Sequence, residues 1–385
     1  MPKRRICVVT GSRAEYGLLY PLLCALRDDI DFELQIIAAA AHLSPEFGLT
    51  YQVIERDGFR IDARVEMLLS SDTPVGIAKS IGLGVIGFAE AYDRLRPDLL
   101  VLLGDRFEVL AAAEAALVAR LPIAHIAGGD TTEGAFDEAI RHSVTKMSHL
   151  HFATHEKAAA RIRQLGENPE CVFNVGSLGI DAIQQLSLLS RGEVEKRLRF
   201  RLRSANLLIT FHPVTLRPDY GCGEFVQLLL ALDRLGGDVG LIFTKPNADT
   251  YSRKLIQTLE EFAAPRPNVS VHTSLGQVQY LSTMSHADAV VGNSSSALYE
   301  APTLKKPAVD IGDRQRGRLQ PDSTIHSEPF ADAIYDAIQQ ALRLDCSQTV
   351  NPYGDGHSVQ RIMAVLKSNF NTQKLVEKRF VSIDS

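Results

Sequence analysis

Short apolar, β-branched runs recur along almost the whole chain, separated by longer stretches in which apolar positions return at helical spacing. RICVVTG, LQIIAAA, DLLVLLG, PIAHIAG, LHFATH and CVFNVG form one set of runs; NLLITFH, VGLIFTKP, VSVHTS, ADAVVGNS and PAVDIG form a second. A strand with one wet face alternates apolar and polar residues. These runs do not, so they predict strands covered on both faces by helices, as in parallel βαβ units. The pattern therefore predicts an α/β protein with two similar-sized parallel-sheet domains. Ligands are expected at the carboxyl ends of the strands, in the cleft between the domains.

Between the two sets lies LSRGEVEKRLRFRLRSAN, residues 189–206, strongly basic and poor in turn residues. Glu193 and Glu195 dilute its charge, so it reads as a solvated helix or linker at a domain boundary rather than a nucleic-acid arm. The expected domains are 1–190 and 205–355. A last helix follows at about 356–370 (GHSVQRIMAVLKSN), and the tail 371–385 carries little core signal.

Composition changes this picture only by exclusion. The chain has 385 residues, 45% hydrophobic and 23% charged, with a formal net charge of −5, so no global field favours nucleic acid or an anionic membrane. Its longest apolar runs fall short of the ~18–20 residues of a membrane span, and MPKRRICVVTGS lacks the apolar core of a signal peptide. Cys7, Cys24, Cys171, Cys222 and Cys346 are scattered, odd in number and without a CxxC pattern, which points to reduced thiols in a cytoplasm.

The chemistry gathers where strands end. In VVTGSRAEYGLL, Gly11 lets the chain turn and Arg13 sits at the start of the next helix, where amides and a guanidinium suit a phosphate. LLGDRFEVLAAAEAA repeats the logic with Gly104, Asp105, Arg106 and Glu108, although Asp105 could equally cap the helix. HIAGGDTTEGAFDEAIRH supplies His125, Asp130, Glu133, Asp137, Glu138, Arg141 and His142. Asp137 and Arg141 share a helix face and could simply pair. Carboxylates crowded around neighbouring strand ends nonetheless exceed what capping needs, and mutual repulsion or desolvation raises their pKa toward the range useful for proton transfer. His149, His151 and His155 lack a carboxylate or cysteine at ligand spacing, so no metal is expected.

GLGVIG, with Gly82, Gly84 and Gly87, fits a dinucleotide fingerprint in letters only. It follows a helical pattern, not a strand, and is better explained by close helix packing; no nicotinamide or other cofactor is expected. In the second half, strands end at His212 and Pro213, and at Lys245 and Asn247. VVGNSSSALYEA offers Gly292, Asn293, Ser294 and Ser295 opening a helix, a loop whose amides and hydroxyls fit a diphosphate or, more plainly, a serine cap. Glu300 lies on that helix at a reach suited to ribose hydroxyls, and GDRQRGR adds Arg314, Arg316 and Arg318. A nucleotide on the second domain with its attached group facing the carboxylates of the first describes a nucleotide sugar.

At this point the chain resembles the hydrolysing UDP-N-acetylglucosamine 2-epimerases. The resemblance rests on GSRAEYG, GDRFE, GGD…FDEAIRH, FHPVT, GNSSSALYE, GDRQRGR and YGDG in the family's order, over residues 4–370. It implies a GT-B-like fold whose last helix returns to the first domain, and conversion of UDP-GlcNAc and water to ManNAc and UDP in a sialic-acid-type pathway. It implies a homo-oligomer, dimer or tetramer, with a UDP-sugar as its small-molecule partner. By the same resemblance, Arg13, Arg106, His212, Asn247, Ser294, Ser295, Glu300 and Arg314 match UDP contacts. Asp105, Asp137 and His212 match the catalytic set. Several relatives carry a glutamate where this chain has Ala127, which leaves Asp130 or Glu133 as candidates for a third acid.

Four other readings share parts of this pattern. A hydrolysing 2-epimerase of a UDP-2,4-diacetamido-6-deoxy sugar would hold the same UDP and C1–C2 end. A non-hydrolysing epimerase typically has Arg-Pro-Glu where this chain reads Arg13-Ala14-Glu15. A retaining GT-B glycosyltransferase often places a second glutamate eight residues after the first, where this chain has Ala308, and a non-catalytic nucleotide-sugar sensor has only Ala127 in its favour.

Overall fold

The computed structural model describes residues 3–69, 73–131, 137–214, 219, 221–245, 252–273, 275–368 and 372–382. Two compact units divide the chain: Met1–Ala182 with Tyr353–Ser385, and Ile183–Pro352. The first contains β1 (Arg4–Thr10), α1 (Arg13–Asp28), β2 (Phe32–Ala39), α2 (Tyr51–Arg56), β3 (Ala63–Val65), α3 (Pro74–Leu95), β4 (Leu99–Leu103) and α4 (Phe107–Val118). It continues through β5 (Ile123–Ile126), α5 (Asp137–Met147), β6 (Leu150–Ala153), α6 (Glu156–Gln164) and β7 (Val172–Asn174) to α7 (Leu178–Gln184), near whose end the division falls.

The second unit runs α8 (Arg191–Leu198), β8 (Ala205–Thr210), α9 (Cys222–Asp233), β9 (Val239–Thr244), α10 (Ser252–Ala263), β10 (Val269–His272) and α11 (Gly276–His286). β11 (Ala289–Gly292), α12 (Ser296–Thr303), β12 (Ala308–Ile311), β13 (Thr324–Ser327) and α13 (Ala331–Ala341) complete it. The chain then re-enters the first unit as α14 (Ser358–Lys367) and α15 (Thr372–Leu375).

Each unit is one parallel sheet. The first is ordered β3-β2-β1-β4-β5-β6-β7 and the second β10-β9-β8-β11-β12-β13, so both reverse direction once, between β1 and β4 and between β8 and β11. At such a reversal the loops after the two central strands diverge to opposite faces and leave a crevice at the carboxyl ends. Strands β4 and β5 are buried at every position, which is why their sequences read as unbroken apolar runs. The apolar pattern gives no sign of β3 or β13. Both are edge strands of three or four residues, and β13 is largely half-exposed.

Helices cover both faces. Leu19, Leu22, Leu23 and Leu26 of α1 pack with Val359, Ile362, Met363 and Leu366 of α14 in the core of the first unit. Asp181 accepts hydrogen bonds from the amides of Ser358 (3.1 Å) and Val359 (2.9 Å), so a buried carboxylate caps the returning helix. The GLGVIG glycines lie inside α3. A β-carbon on Gly84 would meet Ala111 at 2.9 Å and one on Gly87 would meet Val65 at 2.8 Å, the close packing expected, whereas one on Gly82 would meet nothing within 4 Å. By length and apolar content alone α3 could span a bilayer, unlike any run in the sequence reading, yet Phe88, Ala91 and Tyr92 bury its inner face in the first unit's core.

Two boundaries differ from expectation. The basic stretch 189–206 contains α8, and Val194 and Leu198 are buried with Leu208, Ile242 and Met284, so it is part of the second unit rather than a linker. The C-terminal tail is docked. The amide of Val381 donates to the carbonyl of Gly166 (3.0 Å), and Lys378 donates to Glu167.

Candidate active site

In the first unit the reversal lies between the loops after β1 and β4. Ser12 caps α1 by accepting from the amide of Glu15 (3.4 Å), and Glu15 returns to accept from the amide of Gly11 (2.8 Å). Arg13, the first residue of α1, is exposed. Across the reversal, Gly104 turns at φ 80° and Arg106 stands at the cap position of α4 without capping it by its side chain. Arg106 Nε instead donates to Oε1 of Glu108 at 2.6 Å. Glu108 is fully buried against the bare Cα of Gly11, where a β-carbon would approach its Cγ at 2.5 Å. Among the described residues Glu108 Oε2 has no partner. Burial and the nearby Glu108 raise the Glu15 carboxyl to about 7.

Asp105 is not a helix cap. It accepts from Nη2 of Arg141, a buried guanidinium on α5 that also donates to Glu138 (2.9 Å) and to the carbonyl of Asp130 (3.1 Å). Asp137 opens α5, and its carboxyl is pushed above the usual range by partial burial and by the charge of Asp105, against the pull of Arg106 and Arg141. Two carboxylates of different environment thus share this corner with two arginines, the condition for separate proton-donating and proton-accepting roles. Asp130 is differently placed. Burial would raise it, but His155 (3.2 Å) and the amide of Thr131 (3.1 Å) hold it below its ordinary value. Glu133 lies outside the described residues.

Five histidines of the first unit make contacts within the fold. His125 is buried and kept neutral, down to about 3, by desolvation; it contacts the Gly104 carbonyl (2.8 Å) and Thr145 (3.2 Å), tying two site loops together. His42, not singled out by sequence, is buried against Thr10 (3.0 Å) and Thr50 (2.8 Å) below the first loop. His149 accepts from the amide of Ile123, His151 meets Glu167, and His155 caps α6. Among the described residues no group of three potential ligands is arranged to hold a metal.

In the second unit the reversal lies between β8 and β11, and Asn293 is its hub. Its side chain accepts from the amide of His212 (2.7 Å) and donates to the His212 carbonyl (2.9 Å), while its own carbonyl accepts from Arg314 (3.0 Å) and Gln315 (2.8 Å). His212, Arg314 and Gln315 are therefore fixed through one residue, by its side chain and its backbone carbonyl, that the sequence pattern marks only as part of a small-residue loop. Gly292 has φ 141° and passes so close to β8 that a β-carbon would collide with the Thr210 carbonyl. Ser295 stands at the cap position of α12 without a side-chain capping bond, so the plain serine-cap explanation does not account for it. Ser294 Oγ is 3.4 Å from the amide of Ser296. Glu300 is raised by burial, and its Oε2 is without a partner among the described residues. Asn247 lies outside the described residues; Lys245 pairs with Glu260 at 2.6 Å.

Comparison with known proteins places this geometry in a family. Residues 24–367 match the family model described as UDP-N-acetylglucosamine 2-epimerase. A GDP/UDP-N,N'-diacetylbacillosamine 2-epimerase (hydrolyzing) from Campylobacter jejuni is 39% identical over the whole of both chains. A UDP-N,N'-diacetylbacillosamine 2-epimerase (hydrolyzing) from Legionella pneumophila is 33% identical, covering 95% of this chain and 96% of its own. A UDP-N-acetylglucosamine 2-epimerase from Neisseria meningitidis is 31% identical, covering 99% and 100%. Among solved structures, a UDP-GlcNAc 2-epimerase from Neisseria meningitidis bound to UDP-GlcNAc superimposes with a TM-score of 0.78 at 19% identity, over 95% of this chain and all of that one. That likeness extends to the GT-B-like pair of Rossmann-like units. The chain belongs to the UDP-N-acetylglucosamine 2-epimerase family.

Proposed function

We propose that this enzyme hydrolyses a UDP-2-acetamido sugar with inversion at C2, releasing UDP and the free epimerised sugar. The observation that carries the reading is the pair of carboxylates Asp105 and Asp137 at the first reversal, one held by Arg141 and the other raised by its surroundings. The C2 proton is weakly acidic, so its removal requires the C1–oxygen bond to UDP to loosen at the same time. One carboxylate takes the proton while Arg13, Arg106 and Arg314, with His212 and the Ser294–Ser295 loop, stabilise the departing diphosphate. Water then adds to C1 of the resulting glycal, and C2 receives a proton on the opposite face. Glu300, with its unpartnered oxygen, takes the ribose hydroxyls. Asn247 and Glu133 belong to this proposal by sequence alone. Asp130 fits a structural role better, because His155 already holds it ionised.

Incubation with UDP-GlcNAc tests the reading. UDP and ManNAc should accumulate without nicotinamide and survive EDTA, and in D2O the product should carry deuterium at C2. Accumulation of UDP-ManNAc, or a protonated C2 in D2O, would overturn it. A second sugar is favoured by the names of the relatives at 39% and 33% identity: UDP-N,N'-diacetylbacillosamine, a 2,4-diacetamido-6-deoxy sugar. The residues described hold the UDP and C1–C2 end common to both substrates, so side-by-side kcat/KM values decide between them. A homo-oligomer, read by sedimentation velocity, and a cytoplasmic setting, suited to five cysteines none of which is disulfide-bonded, complete the proposal.

A further inference from the structure

The C-terminal end of α5 is held by a residue far away in sequence. Lys378 Nζ donates to the carbonyls of Lys146 and Ser148 and to Oε2 of Glu167, three acceptors for the three protons of one ammonium group. The carbonyls at a helix C-terminus have no partner within the helix, and a cation there also meets the negative end of its dipole. Phe380 seats against Gly166 with the Lys146 ammonium over its ring at 5.1 Å, and the amide of Val381 closes onto the Gly166 carbonyl. The tail therefore grips the same few residues by charge, ring and backbone.

The opposite end of α5 carries Asp137, and Arg141 one turn on holds Asp105. Eleven helical residues rise about 1.5 Å each and tilt as one body, so play at the C-terminal end becomes displacement of the Asp137 carboxyl. We infer that Lys378 is a positioning residue: the tail fixes the far end of α5 and through it the separation of Asp137 from Asp105. This rests on the proposed role of Asp137 in proton transfer. Loss of Lys378 does not orphan a buried charge, because Glu167 keeps Lys146 (2.6 Å) and His151 (3.0 Å). Ile140 and Val144 bury the middle of α5 in the core, the point about which its two ends move.

Lys378→Met, Lys378→Arg and Asp137→Asn, made in the full chain, test the inference. A small misplacement of a reacting group costs up to about 100-fold in rate. Lys378→Met should lower kcat by about ten- to a hundredfold while KM, UDP affinity by calorimetry and the melting temperature stay near those of the parent. The kinetic isotope effect from substrate deuterated at C2 should rise, since proton removal becomes slower, and Lys378→Arg should recover most of the rate. A Lys378→Met enzyme with parental kcat, or one whose rate falls only in step with melting temperature and UDP affinity, overturns the inference. Parental turnover in Asp137→Asn would instead overturn the reading of Asp137 on which it rests.

Discussion

A carboxyl that titrates near neutrality inside a site loop leaves a mark on stability. Glu15 has an unfolded value near 4.5 and a folded value of about 7, so the folded chain binds the extra proton between those limits. Its contribution is fully present below pH 4.5 and is lost as pH rises through 7, a change of up to about 3 kcal/mol at 1.36 kcal/mol per pKa unit. His42 and His125, held down to about 4 and about 3, act in the opposite sense: they are stabilising above 6.5 and lose that contribution as pH falls. Comparing Glu15→Gln with the parent cancels the histidines. The variant should gain on the parent between pH 5 and pH 8 in urea midpoint, and an unchanged gap would show that Glu15 is ionised throughout. Asp105→Asn and Asp137→Asn keep shape but remove the proton carrier, so turnover should fall by about 10²–10⁴-fold with UDP binding largely retained. Near-parental turnover in either variant, measured by UDP release, would remove that residue from the proton path. The types and order of these residues are legible in sequence. The burial of Glu108 against Gly11 is not, because it depends on a missing β-carbon ninety-seven positions away.

At the level of elements, sequence announces what is buried on both faces and is silent where it is not. Among the described residues eleven of thirteen strands overlap the apolar runs, and the two without a signal are the short edge strands β3 and β13. The burial of α8 was masked by charge, since of its eight residues only Val194 and Leu198 are buried. The hub role of Asn293 was equally hidden, because its four bonds reach His212 and the Arg314–Gln315 pair, two segments distant from it in sequence. Close approach of β11 to β8 makes Gly292 the most exacting position in this loop. Gly292→Ala brings a methyl onto the Thr210 carbonyl and an L residue into a backbone region costing about 1–3 kcal/mol. Its urea midpoint should drop, and UDP affinity should fall as Asn293 shifts, both measurable on the purified variant. Parental values for both would mean the two strands have room to part.

Both sheets follow one strand order, with one further strand in the first, and Arg13, Asp105, Arg106, His212, Ser294 and Ser295 follow the strands that flank its reversal points. A doubly wound sheet with its ligand residues at a reversal follows from chain connectivity, so this much could be expected from the alternation of strands and helices. What the alternation does not reveal is that the second unit interrupts the first. Leu19, Leu22, Leu23 and Leu26 meet Val359, Ile362 and Leu366 only after Ile183–Pro352 has been threaded between them. During synthesis at about 5–20 residues per second, those leucines wait roughly seventeen to seventy seconds for their counterparts to leave the ribosome. The inserted unit, contiguous in sequence, can close first. Until α14 emerges the earlier half is an open surface, which makes this nascent chain a natural client for chaperones that shield apolar faces.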